Sequence, residues 1–197
     1  TNVIDNYMDL HTATIWNKTV KDNPHTYHLE SHGRSFKDII DSRAKNSNEV
    51  MNFKDLGLDV DFQTVANANT FLINKNDNPE MFKRYVNGDV QEHSVGMRYI
   101  SLSLAMYDED DEKEMNFFNE KLKEAVNPEI AIEKGYFWVV SEAKKIEGSA
   151  VLFGANSITP TLYVKNFEPS NGTRKNKSEP LNNNTQKNKL QLSNFIN

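Results

Sequence analysis

The stretch His93-Ser94-Val95-Gly96 sets a hydroxyl beside an imidazole at the start of an apolar run that reads as a strand. A serine nucleophile needs a rigid mount, a base within hydrogen-bond reach and space for a substrate. The strand offers the mount, and Gly96 offers space. His93 is the nearest imidazole in sequence, but neighbours in a strand point to opposite faces, which disfavours it as the base. Three more histidines, His25, His28 and His32, fall within eight residues. His28 and His32 would face together on a helix, but Tyr27 and Leu29 alternate with His28 and Glu30, as in a strand. That pattern spreads the imidazoles too far to chelate easily. It favours core or surface histidines, or one catalytic base, over a metal site. Glu147 stands in the apolar run Ile146–Phe153, where an acid lies at an edge, is paired, or is functional. From Asp108 to Glu114, six of seven residues are acidic. The glycine and ligand spacing of a calcium loop are missing, so the run reads as the solvated start of a helix.

The elements that must position these groups follow from period and punctuation. Residues 1–11 read as a loop carrying Asp5 and Asp9. Helical spacing over Thr12–Val20, with Thr12 as N-cap, ends at Asn23-Pro24. The segment from Ser35 to Phe53 has no clear period. Alternation of Leu58, Val60 and Phe62 predicts a strand over Gly57–Val65, and Thr70–Ile73 extends the sheet. Asn78-Pro79 opens a helix that Asn87-Gly88 stops. The Ser94 strand runs to about Tyr107. A helix follows from about Glu112 to Val126, and a shorter one from Pro128 to Lys134. Tyr136–Val140 and Ile146–Phe153 read as two further strands. The sequence shows no internal repeat, and residues 1–167 read as one domain.

Composition narrows the classes. The chain has 197 residues, a formal charge of 23 − 28 = −5 and 37 % apolar residues. With no basic block, a nucleic-acid binder is disfavoured, because phosphate contacts need clustered Lys and Arg. There are no cysteines, which excludes disulfides and thiolate chemistry and is compatible with a reducing cytoplasm. No apolar run approaches a membrane span, and no secretory signal opens the chain. The first residue is Thr1, compatible with a processed or trimmed N-terminus. Eight of the residues 168–197 are Asn, amid Ser, Lys, Gln and Thr, so this stretch is expected to be a flexible polar tail. Its Leu190, Leu192, Phe195 and Ile196 offer a docking segment.

Three separated pieces match one pattern in order: Tyr27–His32, Asn87–Met97 and Ile146–Asn156. Together they resemble the prohead (procapsid maturation) proteases of tailed bacteriophages, relatives of the herpesvirus assemblin proteases. In that family a histidine closes a leucine-containing strand. A serine opens a Ser-Val/Ile-Gly-Phe strand, and an acid precedes a strand ending in Pro-Ala-Asn. Here Gly154 stands where that proline is common. The resemblance covers about residues 5–165.

The resemblance implies an α+β fold with a mostly antiparallel, β-barrel-like core, about three packed helices and a disordered tail. It implies a serine endopeptidase with Ser94 as nucleophile, His32 as general base and Glu147 as the orienting acid. His28 remains an alternative base. Backbone N–H groups around Gly154–Asn156 are candidate oxyanion donors. No cofactor or metal is expected. Scaffold protein and the major capsid protein are the implied substrates and partners, with self-association and self-cleavage in the tail. Nucleic acid and membrane are not implied partners. The place of action would be the assembling procapsid in the infected bacterium's cytoplasm. Two alternatives stand beside this reading. One is a catalytically inactive capsid-assembly or scaffold module of the same fold. The other is a metal-dependent hydrolase built on His25, His28 and His32 with Glu30.

Overall fold

The computed structural model describes residues 1–156, 158–166 and 189–196, with residues 166 and 189–196 described by backbone alone. Its elements in chain order are β1 (Asp9–His11), α1 (Asn17–Asp22), β2 (His25–Glu30), β3 (Ile39–Asn52), β4 (Gln63–Asn74), α2 (Pro79–Asn87), β5 (Glu92–Met106), α3 (Glu112–Leu122), α4 (Pro128–Lys134), β6 (Tyr136–Val151), β7 (Thr161–Asn166) and β8 (Lys189–Ile196). Short 3₁₀ turns lie at Phe36–Asp38 and Phe53–Leu56.

One mixed sheet carries all eight strands. β6 is its axis. Along one edge it pairs in parallel with β1 through its first half and with β2 through its second half. Along the other edge it pairs antiparallel with β5 over nearly its whole length. From β2 the sheet continues through β3, β4, β8 and β7, all antiparallel. The path does not close, so the expected barrel is instead an open sheet. Among the described residues, β5 and β7 end the two sides of the sheet and no ladder joins them.

Residues 189–196, placed in the tail by composition, form β8 and lie between β4 and β7. The register Asn67↔Ile196 to Asn74↔Lys189 gives the β4 edge backbone partners that it would otherwise lack. The rest of the expected tail, 168–188 and 197, lies outside the described residues.

Several elements form where local chemistry places them. The Asn78 side chain accepts from the Met81 N–H at the start of α2, and Gly88 takes a left-handed φ of 78° at its end. The Asp111 carboxylate caps α3 by accepting from the Lys113 and Glu114 N–H groups. The acids around it therefore sit at a helix N-terminus. Elsewhere the outcome differs. The helix read from Thr12 starts only at Asn17, after turns in which Ile15 N–H donates to Thr12 O and Asn17 N–H to Thr14 O. The strand expected over 57–65 starts only at Gln63. Residues 57–62 fold back as a loop: Phe62 O accepts from Phe53 N–H, and Leu58 and Val60 pack on the Phe53 and Leu56 cluster. Two strands expected at 136–140 and 146–153 are one, β6. Among the described residues, no helix is long and apolar enough to cross a membrane.

Apolar clusters line the sheet. Leu10, Phe118, Phe137 and Val139 join β1 and β6 to α3. Ile40, Phe71, Ile73, Met81 and Tyr85 pack α2 on the β3–β4 region. Ile15 and Trp16 pack on Val140 and Ala143. Burial of such side chains contributes about 1.5–3 kcal/mol each, and here it clamps β5 and β6 from both ends.

Candidate functional site

The antiparallel β5–β6 ladder sets Ser94 opposite Ser149 and Gly96 opposite Glu147. Residues opposite each other share a face, so Ser94, Gly96, Glu147 and Ser149 lie on one side of the sheet. Two steps further along, the register slips: Gly96 faces Glu147, but Met97 faces Lys145. Ile146 is therefore the extra residue of a β-bulge on β6, and it is exposed. The bulge directs Lys145 and Glu147, two residues apart, to opposite sides of the sheet.

His32 reaches this face from the end of β2. The strand pairs in parallel with β6 up to Glu30↔Ala150, and Ser31 N–H donates to Ala150 O. Ser31 and His32 then adopt left-handed φ angles of 50° and 57°. Non-glycine residues in that region are uncommon and concentrate at sites where surrounding contacts hold them. Here His32 N–H donates to Ser149 Oγ at 3.2 Å. The turned chain brings His32 Nδ1 to 2.7 Å from Glu147 Oε1. The second carboxylate oxygen, Oε2, accepts from Ser149 Oγ at 2.7 Å. Glu147 is buried and His32 is half-exposed. The hydrogen bond that His32 donates to Glu147 raises the His32 pKa above its ordinary value, and partial burial opposes that rise.

Gly96 is required by a close approach. A Cβ on Gly96 would lie 2.1 Å from Glu147 Oε1. The space that Gly96 leaves is taken by the carboxylate, not by substrate.

His32, Ser94 and Gly96 line one cavity of about 540 Å³, together with Asp5, His11 and Tyr99. Ser94 and His32 make no hydrogen bond to each other among the described residues.

The other histidines are placed elsewhere. His28 is fully buried on the opposite side of the sheet and stacks on Phe71. Its Nε2 lies 2.9 Å from Tyr85 Oη, which lies 3.1 Å from His93 Nε2. His93 Nδ1 meets Thr159 O at 2.9 Å, so Nδ1 carries the proton. Tyr85 then donates to His93, and His28 donates to Tyr85. Burial lowers both imidazoles, His93 to about 4 and His28 well below its ordinary range. Both are neutral core residues with their ring nitrogens spoken for. His25 is exposed at the start of β2. The trio His25, His28 and His32 does not converge: His28 is held by Tyr85, and His32 by Glu147.

The buried network continues behind Glu147. Asn69 Nδ2 donates to His28 Nδ1, and Asn69 Oδ1 accepts from Lys145 Nζ at 2.8 Å. Lys145 also donates to Asn67 Oδ1 at 2.6 Å and Asn46 Oδ1 at 3.3 Å. Burial lowers the Lys145 ammonium to about 7. At the rim, Gly154 N–H donates to Glu92 Oε2 at 2.6 Å. That N–H is committed, which leaves Ala155 and Asn156, both at the cavity wall, as the backbone donors of the expected set.

Sequence reasoning did not single out Ser149 or Tyr99. Ser149 stands two residues after Glu147, and strand periodicity puts the two on one face; that spacing was the available signal. Tyr99 donates to Asp9 Oδ2 across β5 and β1, a contact with no local signature. Burial raises Asp5 to about 6 and also raises Asp9.

The class defined by fold and site is an open, strand-rich α+β domain in which a buried glutamate pairs with a half-exposed histidine at a cavity that a serine also lines. No protein-family model, curated protein sequence or solved structure matches the chain.

Proposed function

We propose that this chain is a serine endopeptidase of the procapsid-maturation type, with Ser94 as nucleophile, His32 as general base and Glu147 as the acid that orients it. The observation that carries this reading is the 2.7 Å contact between His32 Nδ1 and Glu147 Oε1, in a cavity that Ser94 also lines. With the Nδ1 proton held by Glu147, neutral His32 presents its Nε2 lone pair.

The chemistry follows from that tautomer. Ser94 Oγ attacks the peptide carbonyl carbon while its proton passes to His32 Nε2. Glu147 stabilises the imidazolium. The tetrahedral intermediate collapses, the C–N bond breaks, and the leaving amine takes the proton from His32. Water then attacks the ester, again giving a proton to His32, and Ser94 is regenerated when that proton returns to Oγ. Leu152 and Phe153, 80 % and 89 % exposed at the end of β6, offer apolar contact to an extended peptide beside the cavity.

The substrates under this reading are scaffold protein and capsid-protein segments inside an assembling phage procapsid, and the chain's own segment 168–188. Self-association is part of the proposal. Co-expression with candidate scaffold and capsid proteins tests it. Cleavage by the wild type and none by Ser94→Ala supports the reading. Intact substrates with both proteins favour an inactive capsid-assembly module of the same fold.

A further inference from the structure

Asp5 and His11 line the same cavity as Ser94 and His32, and the proposed chemistry uses neither. We propose that Asp5, Asp9 and His11 form a binding site for a single divalent transition-metal cation, of the Zn²⁺ or Mn²⁺ type. One ligand atom from each of the three lies within 4.8 Å of the others. Donor atoms sharing an ion at about 2.1 Å lie up to about 4.2 Å apart, so small side-chain movements close the set.

The backbone builds this grouping. Asp9 and His11 are two apart on β1, hence on one face. Ile4 bridges to Leu10, which brings Asp5 back over the strand. Among the described residues, each carboxylate is held through one oxygen. Asp5 Oδ1 accepts from the Tyr7 N–H at 2.8 Å and the Asp9 N–H at 3.1 Å, while Asp9 Oδ2 accepts from Tyr99 Oη. That leaves Asp5 Oδ2 and Asp9 Oδ1 for a ligand.

His11 is the independent observation. It is 4 % exposed, it lines the cavity, and its Nε2 is buried with no hydrogen-bond partner among the described residues. A buried polar atom left unpaired costs about 1–3 kcal/mol, and the same ring places one of its nitrogens within 4.8 Å of a ligand oxygen of each carboxylate. Among the described residues, no lysine or arginine lines this cavity. Two carboxylate oxygens and one imidazole nitrogen are a donor set that suits zinc or manganese. Three protein ligands leave the remaining positions open to the cavity. The site is separate from the Ser94 chemistry and stands or falls without it.

The test is calorimetric titration of the full, untagged chain carrying Ser94→Ala with ZnCl₂ and with MnCl₂. One ion per chain is expected for at least one metal. Asp5→Asn and His11→Gln should each weaken binding at least tenfold, and His25→Ala should leave it unchanged. Because His11 is buried, circular dichroism checks that its variant is folded, and the half-buried Asp5→Asn gives a second, milder lesion. A visible Co²⁺ absorption band present in the parent and lost in Asp5→Asn would support the assignment. No saturable binding, or less than a threefold change in both variants, overturns it.

Discussion

A carboxylate that accepts from both His32 Nδ1 and Ser149 Oγ has little freedom to leave the imidazole. Ser149 also accepts from the His32 backbone N–H, so one hydroxyl fixes the acid and the turn that carries the base. The raised His32 pKa has a signed consequence. General-base catalysis needs the neutral ring, so activity should rise with pH through an inflection above 6.5, the ordinary value. Glu147→Gln removes the group that raises the pKa. Its inflection should move to lower pH, with kcat lower by roughly 10²–10⁴-fold, as when a triad acid is lost. A pH–rate profile of both proteins checks this, and an unmoved inflection would sever His32 from Glu147. Gly96→Ala is the complementary lesion. The added Cβ meets Glu147 Oε1 at 2.1 Å, so the carboxylate must swing away from His32. Misplacing a catalytic group by about 1 Å can cost about a hundredfold in rate. A kcat/KM reduced by about that factor, with an unchanged circular dichroism spectrum, is the expected result.

At the scale of the element, the bulge at Ile146 separates two roles within three residues of β6. Glu147 turns to the cavity, while Lys145 turns to the cage of Asn46, Asn67 and Asn69. The ammonium is held near 7 by burial, against 10.5 ordinarily. Between those values the unfolded chain binds a proton that the folded chain lacks, so this group makes stability rise as pH rises from about 7 to 10.5. Lys145→Met should abolish that slope. It should also cost about 2–4 kcal/mol at pH 7, since the Asn67 and Asn69 carbonyls lose their donor. Urea unfolding of both proteins at pH 7 and pH 9.5 measures both effects. The same cage explains why part of the fold was hard to read. β3 and β4 bury Asn46, Asn67 and Asn69, so their inward positions carry polar residues and the period-two signal fails. By contrast, α2 was legible because Asn78, Pro79 and Gly88 mark its ends locally. The Ser94 strand was legible from its alternation. A bulge leaves no mark in composition, so the opposed directions of Lys145 and Glu147 were not readable. Nor was the left-handed turn at Ser31 and His32, which carries no glycine.

Across the whole molecule, residues far apart in sequence meet because β6 pairs with β2 on one edge and β5 on the other. Histidine, serine and acid come from three strands or strand ends, so no short motif contains the site. The sheet that holds them is open, not a closed barrel, and β8 extends it from the far end of the chain. The central claim is that Ser94 is a nucleophile activated by His32. It is tested most directly by incubating the protein with a fluorophosphonate and mapping the adduct by mass spectrometry. In that reaction Ser94 Oγ bonds to phosphorus and fluoride leaves, while His32 takes the proton. The account predicts one adduct, on Ser94, lost in Ser94→Ala and strongly slowed in His32→Ala. Equal labelling of wild type and Ser94→Ala, or no adduct on Ser94 in a folded wild-type protein, would contradict it.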